Sequence, residues 1–215
     1  MNIAVGADAT ALFRSAYENR YTWAPEFPGY SADVTYRHGD VTFTGKALVS
    51  PDPRMGYKGE ITGIDNEEVA KIVSGQLWEI AIHRVRRPFE KTHAGNTFSF
   101  GETKANGAVE VLMGGKSEGD RYEVRNNEVS LVHRNIHGSY VTIHTFTSHD
   151  TGEGYLSHTY DSQYSDPATG ELKGGKSVFE DTYTQVGGYQ ILDRRTIQTD
   201  EGTMEFTFSN IQLLG

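Results

Sequence analysis

The chain has 215 residues, 24 glycines, no cysteine and a formal net charge of −9. Without cysteine there is no disulfide framework, no thiol nucleophile and no Cys-ligated zinc or iron–sulfur centre. The acidic balance argues against nucleic acid, which is held by Lys and Arg on phosphates, and no apolar run approaches the roughly 18 residues of a membrane-spanning helix.

The first residues carry only a short apolar run, 3–7, with no basic stretch ahead of it. This predicts a chain without an export signal and a cytoplasmic location. Asp8 or Thr10 is placed to cap a short helix with Leu12, Phe13, Ala16 and Tyr17 on one face. Tyr30, Ala32, Val34 and Tyr36 then alternate. Val41, Phe43, Ala47 and Val49 follow with the same period across a His38-Gly39-Asp40 turn. The two runs predict a β-hairpin.

A long helix is expected after the third strand. Asp65 and Glu68 form a D-x-x-E capping box, and Ile64 and Val69 sit where a hydrophobic staple would place them. Val69, Ile72, Val73, Leu77, Ile80 and Ala81 recur at helical spacing until Pro88. The segment predicts a rod of about 22 residues, roughly 33 Å long. Gly75 in its interior costs about 1 kcal/mol against Ala and is expected to mark a close backbone approach.

The remainder reads as strands over 97–100, 109–113, 122–124, 129–136, 140–147, 155–164, 178–184, 189–199 and 204–213, separated by turn residues such as Asn106-Gly107 and Gly187-Gly188. Connections this short favour antiparallel neighbours. The expectation is a single domain, 1–215, mainly β (α+β). It would hold one curved antiparallel sheet or half-open barrel of about 10–11 strands, with the long helix and the short N-terminal helix laid on it. Space left between long helix and sheet would suit a lipophilic small molecule.

Several stretches resemble a cyanobacterial family of unassigned function. They are Tyr17-Glu18-Asn19-Arg20-Tyr21-Thr22-Trp23, Phe27-Pro28-Gly29-Tyr30-Ser31-Ala32-Asp33-Val34, the segment from Gln76-Leu77-Trp78 to Phe89-Glu90, His149-Asp150-Thr151-Gly152-Glu153-Gly154-Tyr155 and Phe208-Ser209-Asn210-Ile211. The resemblance spans nearly the whole chain and brings no activity with it. A helix followed by Gly29-Tyr30-Ser31-Ala32-Asp33-Val34, then Thr44-Gly45-Lys46-Ala47-Leu48 and finally Phe206 to Ile211, is similar to the lipoprotein-carrier fold of the LolA type. That resemblance implies a half-open antiparallel barrel, helices as a lid over an apolar cavity, and an acyl cargo.

Motifs of known chemistry mostly fail on context. Gly170 to Ser177 matches G-x-x-x-x-G-K-S, but strand-like spacing follows it where a phosphate loop needs a helix, so it reads as a glycine-rich hairpin loop. Asp150-Thr151-Gly152 occurs once and reads as a turn capped by the Asp side chain. Five histidines fall between 133 and 158. If neighbouring strands carry them, His133, His144 and His158 could approach one another as a metal-binding trio, although no ligand spacing pins them and the commoner reading is half-exposed strand histidines or polar groups lining one side of a cavity.

The expected role is therefore a non-enzymatic carrier of an acyl lipid, a carotenoid or a tetrapyrrole, the last two from the photosynthetic source that the resemblance implies. No cofactor is expected. Tyr36, Phe43 and Trp78 would form the wall of the site, with His144 and His158 among its polar lining. His83, Arg84 and Arg87, at the end of the long helix, would hold an anionic head group. The alternatives are an assembly module for a photosynthetic complex, with peripheral contact to that complex or to a membrane, and a metal-dependent enzyme using the histidine cluster.

Overall fold

The structure is a computed structural model and describes residues 8–215; the short apolar run 3–7 lies outside the described residues. The described residues cluster into two compact units, one of residues up to 21 with 87–178, the other of 22–86 with 179–215. Among the described residues twelve strands join in one antiparallel sheet, one or two more than expected.

The first unit opens with α1 (Ala9–Glu18), capped by Asp8, whose side chain accepts from the Ala11 amide at 2.6 Å. After residue 86 come the one-turn α3 (Phe89–Thr92) and strands β4 (Asn96–Thr103), β5 (Val109–Gly115), β6 (Arg121–Arg125), β7 (Glu128–Ile136), β8 (Ser139–Asp150) and β9 (Tyr155–Ser165). Each strand pairs with the next from β4 to β9. Alternation on β5 and β6 turns Val111, Met113, Tyr122 and Val124 to one face, where they pack with Ala9, Phe13, Ala16 and Phe89. Phe13 is the hub: the rings of Tyr17, Phe89, His93, Phe98 and Tyr122 all lie within 6.2 Å of its centroid.

His93 sits inside this aromatic cluster. Its Nε2 and the neighbouring Asn96 Oδ1 are buried without a hydrogen-bond partner. Burial, reinforced by the charges of Arg134 and Arg20, pulls the imidazole pKa down to about 4.

The second unit contains β1 (Tyr30–His38), β2 (Val41–Asp52), β3 (Gly56–Thr62), α2 (Glu67–His83), β11 (Tyr189–Thr199) and β12 (Gly202–Leu213). The remaining strand, β10 (Leu172–Val186), contributes residues to both units. Strand order from one edge is β3, β2, β1, β12, β11, β10, and then β9 down to β4, so the sheet is unclosed. The long helix does follow the third strand.

Two details of α2 differ from the sequence reading. The cap is Asn66, whose Oδ1 accepts from the Val69 amide at 3.0 Å, so the Asp65–Glu68 box is out of register by one residue. The helix stops at His83, short of the 22-residue rod, because the next backbone is recruited elsewhere: the Trp23 amide donates to the Arg84 carbonyl at 2.9 Å and Trp23 bridges Val85. The Gly170–Ser177 stretch also differs. Asp166 accepts from the amides of Ala168 and Thr169 to close the turn, and Leu172 already begins β10.

Candidate functional site

In the second unit, strand register defines which residues lie beneath α2. A Cβ placed on Gly59 would meet the Leu77 side chain at 2.9 Å, so this face of β3 looks at the helix. Gly59 pairs with Val49, and Val49 with Tyr30. Directly opposed residues share a face and the period is two. Ala32, Val34 and Tyr36 on β1, Phe43, Gly45 and Ala47 on β2, and Phe206 and Phe208 on β12 therefore belong to the same floor. Val69, Val73, Leu77, Ile80 and Ala81 are the buried stripe of α2 above it. Burying each of the large aliphatic side chains contributes about 1.5–3 kcal/mol.

The floor is apolar along β1, β2 and β12 and changes character at β11 and β10. Arg195 on β11, 4% exposed, lies opposite Phe206 and donates from Nε and Nη2 to the two carboxylate oxygens of Asp181 on β10, at 2.8 and 2.7 Å. Its Nη1 donates to Gln76 Oε1 of α2 at 2.8 Å and lies 3.6 Å from Glu79 Oε2. At the C-cap of the helix, Arg84 Nη2 donates to the Tyr183 hydroxyl at 3.3 Å and lies over its ring. Burial raises the Tyr183 phenol pKa to about 12, against the opposing charge of Arg84. The helix is thus apolar where it meets β3 and β2, and tied by polar side chains where it meets β11 and β10.

The expected site residues fall as follows. Tyr36 is buried on the floor, its ring 5.1 Å from that of Phe206, and Phe43 lies beside it, half-buried. Trp78 is 45% exposed and lies outside the buried stripe of α2. His83 is the last residue of the helix and Arg84 its C-cap. Arg87 belongs to the first unit, where its carbonyl accepts from the Tyr17 hydroxyl at 3.1 Å. Arg84 contacts the floor through Tyr183.

The histidines of the first unit do not assemble as a trio. His133 is opposite Thr142, whose Oγ1 lies 2.8 Å from its Nδ1, and its ring stacks on Tyr140. Burial lowers its pKa, and so does the charge of Arg121. His144 is opposite Asp161 and donates from Nδ1 to its Oδ1 at 2.9 Å. Lys176 donates to the other oxygen at 2.8 Å. Burial pushes the Asp161 carboxyl up, but these two donors outweigh it and hold it below the ordinary carboxylate value. His158 sits half-buried on β9 at a break in the ladder. Among the described residues no group of three His, Asp or Glu side chains could hold a metal ion. A three-strand sheet spreads residues this far apart in register, so proximity in sequence does not become a ligand set.

Sequence reasoning missed Arg195, Asp181, Gln76, Glu79 and Tyr183. A signal existed. Asp181 interrupts the inward alternation of Phe179 and Tyr183, and Arg195 stands two residues before the buried Ile197. Opposite charges at inward positions of successive strands mark a buried pair.

These features describe a mainly β protein, an antiparallel sheet with a helix fastened across one unit. The chain belongs to the DUF3386 family of proteins of unknown function, whose model matches residues 4–214. No curated protein matches it. Among solved structures it is similar to a LolA superfamily protein from Nitrosomonas europaea, with 8% identity over 98% of this chain and 95% of that chain and a TM-score of 0.40. A domain named for outer membrane lipoprotein sorting, from Vibrio parahaemolyticus, is 9% identical over 95% and 92%, with a TM-score of 0.44. A chain of the Pseudomonas aeruginosa MucA/MucB complex is 10% identical over 97% and 100%, with a TM-score of 0.27. The first two carry the description that the sequence resembles.

Proposed function

We propose that the protein is a non-enzymatic carrier of a lipophilic small molecule, an acyl lipid, a carotenoid or a tetrapyrrole, taken up in the second unit between α2 and its floor. One observation carries this reading: the helix that covers an apolar floor is tied on one side by hydrogen bonds instead of apolar packing. Bonds with a guanidinium donor contribute only about 1.5–3 kcal/mol net each, because water replaces them when they open. Leu77 closes on Gly59, so cargo enters by displacing the helix, and its tail takes the place of the aliphatic stripe against Tyr36, Phe206 and Phe208. Arg84 uses one of its N–H groups on Tyr183 and keeps others for an anionic head group. Arg87 has no part in this reading.

The chain has no cysteine of its own, so a reversible lock tests the proposal. A Cβ on Gly59 would lie 3.4 Å from the Cβ of Leu77, just under the roughly 3.5–4.5 Å found in disulfides. The Gly59→Cys, Leu77→Cys variant is titrated with the fluorescent fatty acid cis-parinaric acid. Saturable uptake by the wild type and the reduced variant, lost on oxidation and regained with dithiothreitol, is the expected result. Equal uptake in both redox states, or none by the wild type, removes the carrier reading.

A further inference from the structure

The outer face of β6 carries a second place where a ligand fits. Tyr122 and Val124 point into the core of the first unit, so Arg121, Glu123 and Arg125 point the other way. Arg121 is engaged by Glu110 at 3.1 Å. Arg125 and Glu123 are not engaged. Both are half-buried, and neither has a side-chain hydrogen bond or ion pair among the described residues, with each other or with any neighbour. Two strand residues on one face are only about 7 Å apart. Lys104, whose charge reaches Glu123, is hydrogen-bonded to Glu102 instead. Glu128, opposite Arg125, accepts from the Ser148 hydroxyl at 2.5 Å.

Both charges open on a cleft of about 230 Å³ that Ser130, His144 and Phe146 also line. The cleft is made by breaks in the ladder. Between β6 and β7 the register slips so that Ser130 has no partner, and between β8 and β9 it slips so that Phe146 has none. The second slip leaves the Phe146 ring 53% exposed at the cleft. Bulges re-aim side chains in this way beside binding sites. The volume is under the roughly 300–1,000 Å³ typical of drug-sized ligands, so the occupant is small.

We propose that this cleft binds a small zwitterion with an apolar side chain, an α-amino acid or a short peptide end, its carboxylate on Arg125, its ammonium on Glu123 and its side chain against Phe146. A half-buried guanidinium offers a two-pronged donor for a carboxylate. The free carboxylate beside it selects against a simple anion and in favour of a molecule carrying both charges. The site is independent of the carrier reading, since it lies wholly in the first unit.

The test is calorimetric titration of the full chain with L-phenylalanine, with benzoate and phenethylamine as single-charge controls. L-phenylalanine is expected to bind saturably in the micromolar to millimolar range, and each control at least about tenfold more weakly. Arg125→Met and Phe146→Ala should each weaken L-phenylalanine binding, the first by roughly tenfold or more, while substitution of the exposed Arg134 on β7, Arg134→Ala, leaves it unchanged. Arg125 has no partner to lose, so Arg125→Met should keep the wild-type melting temperature; Phe146→Ala provides an independent variant. Absence of saturable binding, binding unaffected by both variants, or benzoate or phenethylamine binding as tightly as the amino acid overturns the proposal.

Discussion

Arg195 and Asp181 face each other on neighbouring strands as a bidentate pair, 4% and 2% exposed, with Gln76 Oε1 of α2 accepting a hydrogen bond from the remaining guanidinium nitrogen. Removing one partner strands a charge away from water. Asp181→Ala is expected to cost about 3–5 kcal/mol in urea unfolding. The Asp181→Ala, Arg195→Met double variant should recover a large part of that loss. A cost under about 1 kcal/mol for the single substitution would show that the Arg195 charge is satisfied without Asp181.

Two glycines of the second unit should respond in opposite directions to alanine. At Gly59 a methyl would press on Leu77 Cγ and Cδ2 at 2.9 Å, a cost of about 1–3 kcal/mol. At Gly75, inside α2, a methyl meets open space, contrary to the expected close approach, and alanine should stabilise by about 0.5–1 kcal/mol. Thermal melts of the two single variants check both signs.

His93 makes the first unit sensitive to acid. The unfolded chain binds a proton near pH 6.5, whereas the folded imidazole resists until about 4. In that window the unfolded state holds more protons, so stability is complete above pH 6.5 and falls as pH drops towards 4. Discounted for partial exposure, the loss is roughly 1–2 kcal/mol. His93→Phe should flatten the stability profile between pH 4 and 6.5; an unchanged slope would assign the acid response to other groups.

The capping of α2 gives a finer test. Asn66→Ala removes the acceptor for the Val69 amide and should cost about 1 kcal/mol, whereas Asp65→Ala should cost only a few tenths. Chemical denaturation of the pair distinguishes the observed cap from the capping box that the residue types suggest.

Alternation at Tyr30–Tyr36 and helical spacing from Val69 to Ala81 made the hairpin and α2 legible, because burial on one face imposes those periods directly. The end of α2 was not legible. Arg84 and Val85 are good enough helix residues locally, and only the distant Trp23 backbone draws them out. The start of β10 was hidden for a related reason: Gly174 and Gly175 signal a turn, yet strand pairing overrides them, with Lys176 reaching Asp161. Of the candidate site, Tyr36 and Phe43 were expected as wall residues and lie on the floor, whereas Arg84, expected as a head-group holder, is the C-cap of α2 and reaches Tyr183. The salt bridge beneath α2 and the cleft around Arg125 depend on cross-strand register, which spacing along a single strand does not reveal.

β1 is hydrogen-bonded to β12, with Tyr30 opposite Leu213. A ribosome making this chain delivers β1 early and its neighbour about a hundred and seventy residues later, so at typical rates of roughly 5–20 residues per second one margin of that hairpin stays bare for about ten seconds or more. Chaperone demand during synthesis should therefore fall on the second unit, and a truncation that stops before β12 should aggregate through β1.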